Sequence, residues 1–224
     1  NNFIFRPMIL KTKENITSSY LFGKNSAKGL FEKADKQYVY IDEINTLSKT
    51  FINKISLLME KEGFTLISTM NPCPCGNFGS RILKCTCRPR DIEIYKRKLN
   101  KPQLDRFQIK LYSEKVSYED KTIQVDLDKV KSQIKNAWKK QKIRYNKSVS
   151  YYNGLVDAEQ LHSKIILKSE IMNILKELSE YYSISLRVLD NIIRVARTIA
   201  DIENCEDIEE KHIYEAFQYQ NVSN

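Results

Sequence analysis

The chain has 224 residues, which fits one large domain or one and a half ordinary ones. Its 37 Lys and Arg outweigh 28 Asp and Glu, and the resulting +9 favours polyanionic partners such as phosphates or nucleic acid. A 42% hydrophobic share excludes a disordered chain, six Gly and five Pro exclude collagen-like or linker-like sequence, and the absence of long apolar runs or a signal-like start predicts a cytoplasmic protein with no membrane partner.

Residues 1–34 are mixed, with polar clusters and no sustained period, and read as loop-rich with one short helix or strand. Tyr38-Val39-Tyr40-Ile41 is a β-branched and aromatic run ending in Asp42-Glu43, the profile of a strand buried on both faces with acids at its carboxyl end. Ser48 can cap a helix in which Phe51, Ile52, Ile55, Leu58 and Met59 repeat at helical spacing until Gly63. Residues 64–70 read as a second buried strand, ended by Asn71-Pro72. Strand, helix, strand is a βαβ unit and implies a parallel sheet. Residues 71–90 form a Gly/Pro/Cys-rich loop, residues 92–99 a short basic helix, and 107–112 (FQIKLY) alternate as a third strand would. From about residue 118 the pattern is helical: a basic segment to 147, a short element over 155–165, then helices over 169–182, 185–201 and 208–217. The fold class is therefore α/β followed by all-α, with domains 1–115 and 116–224.

An apolar strand ending in Asp-Glu is what a nucleoside triphosphatase needs: one carboxylate to hold Mg²⁺ through water, a second to polarise the attacking water. Asp42 and Glu43 fit those roles, and a solvated strand end fits the same two residues. In open parallel sheets ligands sit beyond the carboxyl ends of the strands, and the next strand ends in Asn71, a side chain suited to orienting a water beside a γ-phosphate.

The stretches Val39-Tyr40-Ile41-Asp42-Glu43, Met70-Asn71-Pro72-Cys73-Pro74-Cys75-Gly76, Gln103-Leu104-Asp105-Arg106-Phe107 and Arg194 to Asp201 resemble the ComM-type, magnesium-chelatase-like (ChlI-type) branch of the AAA+ ATPases. The MNPCPCG run is specific to that branch, and the resemblance covers nearly the whole chain. It implies a P-loop AAA+ core with a parallel sheet, a helical lid, and a homo-oligomeric, hexamer-like ring with ATP and Mg²⁺ between subunits. By that pattern Asp42 and Glu43 match the Walker B pair, Asn71 sensor 1, Arg106 the arginine finger offered to a neighbour's nucleotide, and Arg187 sensor 2 of the lid. Guanidinium suits the finger because it is planar, multidentate and always charged. Arg106 also fits a surface arginine in a basic segment, and Arg187 a solvated residue at a helix start.

The sequence departs from the family in two places. A G-x-x-x-x-G-K-[ST] phosphate cradle is absent from the 224 residues; the Gly-Lys of Gly23-Lys24 is preceded by Ser18 and followed by Asn25 where Gly and Ser/Thr are needed. The expectation is that the first strand, the P-loop and its helix lie upstream, or that the chain is a copy without its own cradle. Relatives also insert a β-hairpin before the sensor 1 strand, whereas here Met59-Glu60-Lys61-Glu62-Gly63 runs directly into Phe64.

Four of five cysteines form two C-x-C pairs, Cys73/Cys75 and Cys85/Cys87, with nine residues between them. Four thiolates on a short loop satisfy tetrahedral Zn²⁺ and supply order the loop cannot obtain from apolar burial; reduced or redox-active thiols are the alternative. Cys205 has no partner in sequence, and His162 and His212 stand without acid or thiol company at ligand spacing. The positive charge is concentrated: residues 73–110 and 131–147 each carry +7, and DNA is a candidate partner for segments 81–110 and 131–147. The second segment interleaves Trp138 and Tyr145 with its cations, as single-strand binders do, or packs Trp138 into the lid.

The function these features favour is a ComM-type AAA+ ATPase coupling ATP hydrolysis to DNA remodelling, as a helicase or branch-migration motor in DNA uptake and recombination. The alternatives are a non-catalytic, zinc-stapled DNA- or partner-binding subunit without its own P-loop, and a subunit of a true metal chelatase.

Overall fold

The computed structural model describes residues 8–10, 16–34, 38–61, 64–113, 124–146 and 152–220. The chain folds into two compact units, Asn1–Arg106 and Phe107–Asn224. No helix among the described residues is long and apolar enough to cross a membrane.

In the first unit strand β1 (Met8–Leu10) precedes two short helices, α1 (Ser18–Phe22) and α2 (Leu30–Lys33). Strand β2 (Tyr38–Ile41), helix α3 (Lys49–Lys61) and strand β3 (Thr65–Ser68) follow. The strands form a parallel sheet in the order β1-β2-β3, with Met8 opposite Val39 and Tyr38 opposite Thr65. This is the predicted βαβ unit, with β1 added in a segment read as loop-rich. Elements of three to five residues are too short for a period to show, which is why residues 8–33 carried so little signal.

Val39 and Ile41 of the central strand are fully buried, and Ile52 and Ile55 of α3 lie in the same core. Fully burying each such side chain contributes about 1.5–3 kcal/mol. β3 corrects the expectation of a second buried strand: Thr65 and Ile67 are exposed, and Leu66 and Ser68 are half-buried. Its place at the edge of the described sheet, paired with β2 on one side, is the reason.

Aromatic contacts fasten α1 and α2 to this layer. Phe22 stacks on Phe31 at 5.8 Å and meets Phe51 edge-on at 5.8 Å, while Phe31 lies 5.1 Å from Phe64. Such pairs add about 1 kcal/mol each beyond burial. The connection between the helices is a tight turn with Lys24 bridged to Ala27, and any side chain at Gly29 would collide with the backbone of Gly23 and Leu21. Gly23-Lys24 thus closes a turn. After a long loop come α4 (Pro89–Lys96) and α5 (Lys101–Leu104).

The second unit is helical: α6 (Leu127–Tyr145), α7 (Ala158–Lys164), α8 (Ser169–Tyr182), α9 (Leu186–Ile202) and α10 (Glu210–Gln220). Asp126, Asp157 and Ser185 cap α6, α7 and α9 by accepting backbone N–H groups of the first turn. The predicted stripes meet in one core, where Ile171, Leu175 and Leu178 of α8 pack with Ile192, Ile193 and Ala196 of α9 and with Ile213 and Ala216 of α10. Residues 107–112 were predicted as a strand, and no strand forms there. Their backbone is taken by α10 instead: Lys110 N–H donates to the Tyr219 carbonyl at 2.8 Å, and the Gln220 side-chain amide donates to the carbonyls of Phe107 and Gln108.

Candidate functional site

At the carboxyl ends of β2 and β3 the predicted acids meet the predicted amide. Asn71 Nδ2 donates to Glu43 Oε1 at 2.7 Å. Thr69 Oγ1 donates to Asp42 Oδ1 at 2.6 Å and accepts from Glu43 N–H at 2.9 Å, so one hydroxyl ties both acidic residues to the neighbouring strand. The Tyr40 hydroxyl also donates to Asp42 Oδ1, at 3.2 Å. Backbone pairing continues past the strands, with Thr69 N–H donating to the Ile41 carbonyl and Ile44 N–H to the Thr69 carbonyl. Glu43 itself is in the left-handed region, φ 48°, which costs a non-glycine residue about 1–2 kcal/mol. Backbone strain of this kind persists where the surroundings fix it, and it clusters at functional sites. Sequence reasoning missed Thr69, although its spacing of two from Asn71 along an extended segment puts both on one face.

Arg106 closes the first unit. Its guanidinium donates to the Pro102 carbonyl at 2.6 Å, beside a capping box in which Asn100 and Gln103 satisfy each other's backbone N–H. Gln103, buried, also donates to Asn53 Oδ1 of α3 at 2.6 Å, which anchors the helix preceding Arg106 to the βαβ layer. Arg187 is exposed on the first turn of α9 in the second unit.

The four loop cysteines come together. Their Sγ atoms all lie within 4.8 Å of one another, with Cys73–Cys75 at 3.5 Å and Cys85 at 3.7 Å from each of them. A disulfide needs about 2.05 Å, so these are separate thiols. A tetrahedral Zn²⁺ with bonds of about 2.3 Å spaces its sulfurs by about 3.8 Å, close to the distances found. Backbone N–H groups already point at the sulfurs, from Phe78 to Cys73 at 3.3 Å and from Cys75 to Cys87 at 3.4 Å, the orienting contacts that metal-ligating thiolates use. Backbone donors at Thr86 and Asn77 pull the Cys75 thiol down to about 5. The Cys75 backbone N–H acts the same way on Cys87, but burial and the neighbouring Cys75 and Cys73 push it up to about 12.

The thiol loop and the acid pair are physically linked. Asn71 stands two residues before Cys73, and its side chain lies against Gly76, whose φ of +74° turns the loop. After the loop, α4 brings back Tyr95. Burial raises the Tyr95 phenol pKa, the buried Asn45 amide opposes, and the charges of Glu43 and Cys73 raise it further. Neither amide atom of Asn45 makes a hydrogen bond of ordinary geometry, which leaves a buried polar side chain beside the acids.

In the second unit the Arg194 to Asp201 stretch builds a buried network. Arg144 grips Asp201 with two bonds of 2.6 and 2.8 Å, Arg197 reaches the same carboxylate at 3.1 Å, and Asn153 donates to it at 3.2 Å. Arg194 donates to the carbonyls of Asn153 and Val156, and Arg197 to those of Cys205 and Glu206. Tyr145, expected to offer a stacking face, is 3% exposed and donates to Asn153 at 2.8 Å; its place on the inner side of α6 removes it from solvent. His212 has the company the sequence hid: Glu203 Oε2 at 3.1 Å and Cys205 nearby. Glu209 N–H donates to His212 Nδ1 at 2.9 Å, which puts the ring proton on Nε2 and turns that nitrogen into a donor toward Glu203, unsuited to a metal.

Models of magnesium chelatase subunit ChlI and of the ChlI C-terminal part match residues 61–121 and 126–220. The chain is similar to the uncharacterized protein YifB of Salmonella typhimurium, 27% identical over 168 residues, and to YifB of Escherichia coli, 29% identical over 163 residues; each match covers 71% of this chain and 31% of the relative. It is 23% identical over 156 residues to the competence protein ComM of Haemophilus influenzae, covering 70% of this chain and 30% of that protein. The matched part spans about a third of the length of these relatives.

Proposed function

The chain belongs to the magnesium-chelatase-like family of ChlI, and we propose that it forms part of a ComM-type AAA+ ATPase that couples ATP hydrolysis to DNA remodelling. The observation that carries this reading is the hydrogen-bonded set Asp42, Glu43, Thr69 and Asn71 at the ends of adjacent parallel strands. Mg²⁺–ATP is the substrate: Asp42 holds its cation through water, Glu43 accepts the proton of the attacking water, and Asn71 keeps the Glu43 carboxylate aimed at that water. Arg106 meets a neighbouring subunit's γ-phosphate in a homo-oligomeric ring, and Arg187 serves as sensor 2 of the lid, with core 1–115 and lid 116–224. The exposed edge of β3 supports a sheet that continues with a further strand of the core. The similarity to a competence protein supports a role in branch migration or helicase work on incoming DNA. Cys73, Cys75, Cys85 and Cys87 hold a structural Zn²⁺, whose contribution is to order the loop that begins at Asn71.

Replacing Glu43 by Gln in the full-length protein is expected to lower steady-state ATP turnover by about 10²–10⁴-fold while nucleotide affinity is kept. Turnover within a few-fold of the parent would remove Glu43 from the chemistry. A second reading is favoured by the four clustered thiols: a zinc-stapled binding subunit that offers Arg106 in trans. Full-length protein that binds zinc and DNA but hydrolyses no ATP would decide for it.

A further inference from the structure

The exposed side of α6 carries a feature distinct from the acid pair. Lys131, Lys135, Trp138 and Lys142 are spaced by four, three and four residues and therefore form one stripe, about 16 Å long at 1.5 Å per residue. Trp138 is 46% exposed and pairs with Tyr152, itself 43% exposed, at 6.1 Å between ring centroids and 58° between planes. Residues 131–147 contain seven cations and no acid. The structure sorts them: Arg144 is committed to Asp201, Lys140 donates to the Cys205 carbonyl, and Lys131 lies 3.4 Å from Asp128, while Lys135, Lys139 and Lys142 are exposed beside Trp138.

Resting on the DNA-remodelling reading above, we propose that Trp138 and Tyr152 form a stacking platform for an unpaired base of single-stranded DNA, whose phosphates run along the α6 lysines. Charge complementarity selects a polyanion, and the exposed aromatic pair selects one that offers a flat apolar face as well. Duplex DNA keeps its base faces stacked internally and presents only base edges and backbone, so a single strand alone engages both halves of the stripe.

Trp138 is the sole tryptophan in the 224 residues, which makes it the reporter. Titrating full-length protein with a short oligo(dT) is expected to quench a fluorescence component that Trp138→Phe removes. Affinity is expected to fall about 10-fold or more in Trp138→Ala and in Tyr152→Ala. Replacing Lys135 and Lys142 by Ala should reduce the slope of log K against log salt by about 1.4, near 0.7 per phosphate contact on a single strand. Equal quenching by duplex of the same length, equal quenching by heparin, tighter binding of oligo(U), or unchanged affinity in Trp138→Ala would each overturn the platform. The two readings separate cleanly: parent protein that hydrolyses no ATP while oligo(dT) still quenches Trp138 overturns the ATPase reading and leaves the platform standing, and DNA-dependent turnover without quenching removes the platform alone.

Discussion

Replacing Cys85 and Cys87 together with Ser is expected to lower bound zinc from about one equivalent per chain to none in protein purified without added metal, while Cys205→Ser leaves it unchanged. The four Sγ atoms already sit near the edge length of a zinc tetrahedron, and two remaining thiols cannot fill four positions. The effect is expected to be large because metal binding is folding free energy where no other core exists, about 10–16 kcal/mol in isolated zinc fingers. Across residues 71–88 only Cys73 is buried, and Phe78, Ile82 and Leu83 are exposed, so apolar burial cannot hold this loop. The consequence should reach the acids, since Asn71 opens the loop and grips Glu43. In the variant, proteolysis should cut within the loop, and ATP turnover should fall with nucleotide affinity retained. Unchanged metal content would defeat the four-thiolate site. A disulfide found by mass spectrometry in untreated protein would favour redox-active thiols instead.

Features that rest on a period or on unusual residue chemistry were legible in advance. The run from Tyr38 to Ile41, the helical spacing of Ile52 and Ile55, and the stripes of α8 and α9 are strong signals because burial acts on every turn or every second residue. The pairing of Glu43 with Asn71 was likewise readable, since parallel strands bring their carboxyl ends together. What stayed hidden depends on neighbours that are remote in sequence. Residues 107–112 alternate like a strand, yet among the described residues they pair with no strand and α10 takes their hydrogen bonds. Tyr145 and Trp138 both interrupt a lysine-rich helix, and only the packing of α6 against α9 decides that one is buried and the other open. Glu203 and Cys205 reach His212 from the preceding loop, through a turn that no local pattern announces.

The polar side of α9 was read only as a mark of resemblance, because polar residues at helical spacing ordinarily face water. Arg194, Arg197, Thr198 and Asp201 instead lie under the chain at 153–156 and 205–206, and they hold it by its carbonyls and by Asn153. Asp201→Ala is therefore expected to destabilise the second unit by about 3–5 kcal/mol, a large part of the 5–15 kcal/mol that stabilises a typical domain. The carboxylate is fully buried, and it neutralises two guanidiniums whose side chains are 16% and 6% exposed. Burial pushes the Arg197 pKa down and Asp201 opposes this, so removing the acid leaves a buried cation without its counter-charge. Thermal unfolding should drop by well over 10 °C, at about 4–8 °C per kcal/mol for a unit of this size. Asp201→Asn keeps the shape and loses the charge, and it should fall between parent and alanine variant. Arg144→Met and Arg197→Met combined with Asp201→Leu should recover part of the loss, because an apolar set carries no desolvation penalty and leaves neither guanidinium without its counter-charge. The decisive quantity is the coupling between Arg144 and Asp201 in a double-mutant cycle: an interaction below about 0.5 kcal/mol would mean that the two residues act independently and that the network does not hold the helices together.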